Sequence, residues 1–299
     1  MARQSRFGLI LLAILVVSFI GFFVIALRME QSDGIGLRGP DRVGVLTIEG
    51  IITDAQGQIE RLNRLRDDKN VRAIVLRIDS PGGAVAPSQE LYREIYKANQ
   101  VKPVITSVGT LCASGGYYAA MGTRRIFANP GSMVGSIGVI MEFVDVSELA
   151  EWAKVRSEVV KSGRFKDIGH PTRPMEDAER DLLQGVVDNV YLQFVDAVQQ
   201  GRAAAGMTTD SVRAIADGRI FSGEQALDEG LVDEMGNLQD AIAYAGELVG
   251  LGSDPKVMHV EPRDRGLLQR LLEGRQGAVW EMLQEGTGPR MRYIWRPHG

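Results

Sequence analysis

Ser114 is the side chain around which chemistry could be arranged. It stands in the stretch Val104-Ile-Thr-Ser-Val-Gly-Thr-Leu-Cys-Ala-Ser-Gly-Gly-Tyr-Tyr-Ala-Ala120. The β-rich run Val104–Val108 reads as a buried strand, Gly115 and Gly116 follow the serine directly, and the residues from Tyr117 onward suit a helix. A serine between a strand and a helix, with no bulky neighbour over its hydroxyl, has backbone N–H groups close by that stabilise an anion. A serine nucleophile needs that setting. The same pattern fits an ordinary N-cap serine in a tight turn, and this stretch alone leaves both readings open.

A nucleophilic serine needs a base. The chain has 3 histidines, His170, His259 and His298. His170 stands in a Pro-rich loop, His259 falls in a late strand candidate, and His298 is next to last. None has a neighbouring carboxylate pattern that picks it out. A lysine is the other choice. To be half neutral near pH 8, a lysine must fall from its reference pKa of about 10.4, which destabilises the ammonium by roughly 3.3 kcal/mol. Burial in an apolar, water-poor site supplies that. Lys161 and Lys166 flank a turn after a strand candidate, so both are placed to serve, although two solvated loop lysines would show the same spacing. A second glycine turn, Asp79-Ser-Pro-Gly-Gly83, ends another strand candidate and leaves backbone N–H groups free to point at something.

The surrounding pattern must position these groups. Strand candidates at Val43–Ile48, Val71–Ile78 and Val104–Val108 alternate with helix candidates at Ile59–Leu65 and Pro87–Asn99, the latter with Leu91, Ile95 and Tyr96 on one face. Such alternation argues for α/β layering with parallel pairing. Further strands are expected at Arg125–Ala128, around Val134–Ile140, at Val155–Val160, Gly218–Ser222, Leu231–Val232 and Val257–Val260. Helices are expected at Val144–Ala153, Glu176–Arg202, Thr208–Ala216, Leu238–Val249 and Leu267–Leu283, and Ser222 with Gln225 fits a capping box.

The 299 residues suffice for a sizeable core, and 44% hydrophobic with 24% charged residues excludes bulk disorder. A net charge of −4 gives no reason to expect nucleic acid. The single cysteine, Cys112, excludes an internal disulfide and a cysteine-cluster metal site, and reads as a small buried filler. No metal and no cofactor is expected. Phe7–Leu27 is uncharged and long enough to cross a membrane as a helix. Arg3 and Arg6 before it place residues 1–6 in the cytoplasm and the remainder outside. An uncleaved anchor fits better than a signal peptide, because the run is long for an h-region and lacks an A-x-A site. The expected organisation is an anchor over 7–27, a linker over 28–41, a domain over 42–250 and a C-terminal extension over 251–299. The tail around Tyr293, Ile294 and Trp295 is too apolar to be comfortable in water and is expected to dock.

Val75-Leu-Arg-Ile-Asp-Ser-Pro-Gly-Gly83, Ala113-Ser-Gly-Gly-Tyr-Tyr118, Gly135-Ser-Ile-Gly-Val139 and Lys161-Ser-Gly-Arg-Phe-Lys-Asp167 follow one another in this order. Asp217-Gly-Arg219 and Gly230-Leu-Val-Asp233 come later. The set resembles the signal peptide peptidase A (protease IV) family in its short bacterial form, from about Val43 to Val249. The resemblance implies a Clp protease/crotonase-like α/β fold, a layered β-β-α superhelix preceded by one transmembrane helix, and a Ser–Lys dyad that works through an acyl-enzyme. Ser114 then corresponds to the nucleophile and Lys166 to the general base, with Lys161 second. Ser136 orients the lysine, and the N–H groups of Gly83 and Gly115 form the oxyanion hole. Thr110-Leu-Cys112 departs from the family's usual Ser-Met-Ala, behind the nucleophile. Remnant signal peptides are the implied substrate. A bacterial inner-membrane location with an outward-facing catalytic domain is implied, as is a homo-oligomer in which the lysine of one subunit meets the serine of the next. A crotonase-like acyl-CoA enzyme and a non-catalytic membrane scaffold or regulator are the alternatives.

Overall fold

Buried β-branched runs set the architecture, because strands covered on both faces are apolar along their length. The computed structural model describes residues 39–260 and 290–294. The expected anchor at Phe7–Leu27 and the expected helix at Leu267–Leu283 lie outside these residues, and His298 does too. From Asp41 onward the chain forms one unit.

The elements run β1 (Arg42–Glu49), α1 (Gln56–Asp67), β2 (Val71–Ser80), β3 (Gly82–Ala84), α2 (Val85–Val101), β4 (Val104–Ala113), α3 (Gly115–Ala120), β5 (Arg125–Ala128), β6 (Met133–Gly135), β7 (Ile140–Glu142), α4 (Ser147–Trp152) and α5 (Asp177–Gly201). They continue with α6 (Thr209–Ile215), β8 (Ile220–Ser222), α7 (Gly223–Asp228), β9 (Glu234–Met235), α8 (Leu238–Leu248), β10 (Val257–His259) and β11 (Arg290–Ile294). The main sheet has the order β10-β1-β2-β4-β5-β9, all parallel, with β6 added beside β4 and β8 antiparallel to β6. β10 carries this sheet past the expected boundary at residue 250. A second sheet has β11 between β3 and β7, antiparallel to both.

The main sheet lies between two apolar layers. Leu62 and Leu65 of α1, Leu91 and Ile95 of α2, Tyr117 of α3 and Phe194 and Val198 of α5 cover one face. Ala241, Ile242 and Ala245 of α8 cover the other, against Val43, Val75, Ile105 and Phe127. β4 changes partner along its length: Ile105–Ser107 pair with β5, and Leu111–Ala113 pair with β6. This switch carries the end of β4 to the place where β6 turns.

Three local expectations are corrected. Val155–Val160 forms no strand; all its residues are exposed and it pairs with no strand among the described residues, so its β-branched composition alone does not make one. Leu231 and Val232 are buried but irregular, and the strand lies at Glu234–Met235, where β5 offers its edge. Tyr96 is exposed rather than sharing the buried face of Leu91 and Ile95. The Ser222–Gln225 capping box forms in both directions, at 3.0 and 3.2 Å.

Candidate active site

β4 delivers Ser114 directly into α3, and its backbone there is strained. Its φ is 53° and its ψ −119°. Ser136, just after β6, has φ 50°. Left-handed serines cost of order 1–3 kcal/mol each and persist only where their surroundings over-determine them. The surroundings here are main-chain hydrogen bonds. Ser114 N–H donates to the Gly135 carbonyl at 2.7 Å, Tyr118 N–H donates to the Ser114 carbonyl at 2.8 Å, and Ser136 N–H donates to the Arg219 carbonyl at 2.8 Å. The register Ala113↔Gly135 therefore places the two serines side by side. Ser114 is 1% and Ser136 7% exposed. An N-cap serine has extended backbone and a side chain that accepts from the helix. Ser114 has neither, and its hydroxyl makes no hydrogen bond among the described residues.

The glycine turn after β2 closes onto this point. Ser80 Oγ donates to the Gly50 carbonyl at 2.7 Å and accepts from Gly82 N–H at 3.1 Å. A Cβ on Gly83 would stand 2.0 Å from the Ile52 carbonyl oxygen, so only glycine fits. A Cβ on Gly115 would stand 2.3 Å from Ser88 Oγ and 3.2 Å from the Gly83 nitrogen. The amide of Gly83 thus lies beside the residue that follows Ser114. Asp79 ties this turn to β4 by accepting from Thr110 N–H at 3.2 Å and Leu111 N–H at 3.1 Å. Behind Ser114, Cys112 is fully buried, and burial pushes its thiol pKa up, so it packs as a neutral filler. Tyr117 anchors α3 by donating to the Leu231 carbonyl at 2.7 Å.

Ser114 and Ser136 line a cleft of about 1300 Å³. Val139, Met141 and Phe143 line it near β7, and Leu183, Val187 and Tyr191 line it from α5. His170 also lines this cleft, with Nδ1 3.1 Å from Thr172 Oγ1. His259 lies on β10, at the far edge of the main sheet, and lines a different pocket with Val45 and Thr47.

The two lysines are held differently. Lys161 Nζ donates to the Asp167 carboxylate and to the Arg164 carbonyl at 3.0 Å. Arg173 donates to Asp167 at 3.2 Å and to both carboxylate oxygens of Glu179, at 2.8 and 2.5 Å. Glu179, 2% exposed, accepts in addition from Glu176 N–H at 3.0 Å at the start of α5. The Lys161 amine, with the Arg173 guanidinium, holds the Asp167 carboxyl at a pKa of about 2. Arg173, with the Glu176 N–H, holds Glu179 at about 2. Lys166 is exposed, its amine has no partner among the described residues, and it does not line the cleft. The fold brings Ser114, Ser136, Gly83 and Gly115 together and keeps Lys166 outside the cleft of its own chain. Sequence reasoning missed the Lys161–Asp167–Arg173–Glu179 chain. Its only local signal was the Glu176/Glu179 spacing of a capping box at the start of α5.

A strained serine at a strand–helix junction, beside glycine amides and lining a cleft of mixed apolar and charged walls, is an arrangement that a serine-type hydrolase could use. Residues 97–252 match the model of peptidase family S49. The chain belongs to that family of serine proteases. A Synechocystis protein named as a protease is 40% identical over 208 residues, covering 70% of this chain and 74% of that one. An Enterococcus faecium protein named as signal peptide peptidase SppA is 32% identical over 268 residues, 85% of this chain and 76% of that one. A Methanocaldococcus jannaschii protein named as a protease is 31% identical over 274 residues, 87% of each chain.

Proposed function

We propose that the protein is a membrane-anchored signal peptide peptidase that degrades apolar remnant peptides by a Ser–Lys dyad. The observation that carries the reading is the uncommitted hydroxyl of Ser114, held at φ 53° next to Ser136 and the Gly83 and Gly115 amides. Ser114 Oγ attacks the scissile carbonyl as a lysine amine takes its proton. The Gly83 and Gly115 N–H groups then stabilise the oxyanion, the amine returns the proton to the leaving nitrogen, and water releases the acyl group by the reverse sequence. Ser136 orients the amine. The β-β-α layering follows the Clp protease and crotonase type.

Lys166 is the base and reaches the Ser114 of a neighbouring subunit. Support comes from the two lysines' surroundings: Lys161 is spent on Asp167, whereas Lys166 is exposed and unpartnered among the described residues. The cleft wall of Val139, Met141, Phe143, Leu183 and Val187 suits apolar peptides. The anchor at Phe7–Leu27 keeps the enzyme at the inner membrane, where such peptides remain, with the catalytic domain on the outer side.

The test is hydrolysis of a fluorogenic apolar peptide by the assembled protein. Ser114→Ala and Lys166→Ala should each reduce kcat by at least about 10³-fold while leaving assembly unchanged. Full activity in Lys166→Ala would refute the base.

A further inference from the structure

β2 and β4 run in register from Ile74↔Val104 to Ile78↔Val108, and the next pair is Ser80↔Cys112. One residue of β2, Asp79, therefore faces three of β4, Gly109, Thr110 and Leu111. Such a bulge takes main-chain groups out of the ladder, and they need partners from elsewhere. The Asp79 side chain supplies them. Its Oδ2 accepts from Thr110 N–H at 3.2 Å and its Oδ1 from Leu111 N–H at 3.1 Å, one oxygen to each donor. A Cβ on Gly109 would stand 2.6 Å from Asp79 Oδ2 and 2.9 Å from Asp79 Cβ, so glycine lets the bulge close on the carboxylate. Ser132 Oγ donates to the Gly109 carbonyl at 2.7 Å, which ties the same bulge to the turn before β6. Each strand leads from this bulge into the site. On β4 the chain runs Cys112, Ala113, Ser114; on β2 it runs Ser80, Pro81, Gly82, Gly83. Ser80↔Cys112 is the last pair that joins the two strands before they part. It fixes how Ser114 stands against the Gly83 amide, and a slip of one residue would turn Ser114 to the opposite face of the sheet. Asp79 is not among the residues lining the cleft, so it acts from behind the site.

We propose that Asp79 is a positioning residue of the peptidase site: its carboxylate pins the β4 bulge and so sets the nucleophile, Ser114, against the oxyanion donor, Gly83. The inference rests on the peptidase reading above. A carboxylate accepts with both oxygens, whereas an amide of the same shape has one acceptor oxygen and turns its NH2 toward the second N–H. Asp79→Asn therefore releases one of the two anchors with almost no change in volume. A shift of about 1 Å between nucleophile and donor is felt in the transition state far more than in substrate binding, because the oxyanion exists only there.

The experiment measures hydrolysis of a fluorogenic apolar peptide by the full chain, and its affinity for two inhibitors built on the same peptide. One ends in an aldehyde, which forms a hemiacetal with Ser114 Oγ and places its oxygen at the Gly83 donor. The other ends in the alcohol, which cannot. Asp79→Asn should lower kcat about 10- to 100-fold with KM within about twofold, weaken the aldehyde in the same proportion and leave the alcohol unchanged. Gly109→Ala, which pushes on the carboxylate from the other strand, should do the same, and the double variant should lose little more than the worse single. Amide exchange at Thr110 and Leu111 should speed in both. A misfolded fraction lowers kcat but neither affinity, so lost kcat with unchanged aldehyde affinity in both variants would overturn the proposal, as would wild-type kcat in both. A wild type that neither hydrolyses the peptide nor prefers the aldehyde to the alcohol would overturn the peptidase reading, and the proposal with it.

Discussion

Replacing Ser114 by glycine separates its strain from its chemistry. A residue at φ 53° pays for its conformation unless it is glycine. Ser114→Gly should therefore gain about 1 kcal/mol, a rise in Tm of about 2–4 °C, while losing hydrolysis. Ser114→Ala should lose hydrolysis with little change in Tm, and thermal unfolding of the two variants checks the difference. At this scale much was legible. The serine was visible because a β-rich run, small residues and two glycines leave its hydroxyl uncovered, and Gly83 was visible because Pro81-Gly-Gly demands a turn. The choice between Lys161 and Lys166 was not readable from spacing. Among the described residues Asp167 pairs with the Lys161 amine and not with Lys166, a contact that no spacing announces.

The loop from Lys161 to Glu176 has no regular secondary structure beyond turns, so its shape rests on side chains. Arg173 does most of this, by joining Asp167 to Glu179 at the start of α5. Both carboxyls are held at about 2, below ordinary values of 3.8 and 4.5, so they bind fewer protons folded than unfolded. Their stabilisation is complete above about pH 5 and is lost as pH falls toward 2. Tm should fall across that window in the wild type, and more shallowly in Arg173→Met. The same variant should lower kcat/KM at neutral pH by about tenfold or more, because it loosens the segment that carries Lys166. Elements with strong periodicity, such as α5 and α8, were readable. Val155–Val160 was not, since a strand needs a neighbouring edge that no local pattern announces. β3 and β11 escaped for a similar reason: Gly-Gly-Ala has no strand propensity, and its partner lies at the opposite end of the chain.

At the scale of the whole molecule, the segment preceding the lysine loop exposes large apolar groups. Trp152 is 80% exposed, and Val144, Leu149, Val155 and Val160 are exposed near it in sequence. Scattered apolar residues need no explanation, but a concentration of them around one segment is what a contact surface would show, and the proposed assembly gives it a role to test. Trp152→Asp should shift the assembly toward smaller species in sedimentation and reduce activity in parallel. Loss of activity with the assembly intact would place Trp152 at substrate rather than at a subunit contact. The parallel sheet and its helical layers were legible as alternating strand and helix patterns.

The most direct measurement mixes the two inactive proteins. Ser114→Ala retains the lysine and Lys166→Ala retains the serine. If the dyad forms between subunits, co-assembly at equal amounts regenerates sites in about a quarter of positions. Peptide hydrolysis should then return to roughly a quarter of the wild-type rate. Mixed assemblies, shown by sedimentation to contain both variants, that remain as inactive as either parent would contradict a Ser114–Lys166 dyad shared between neighbours.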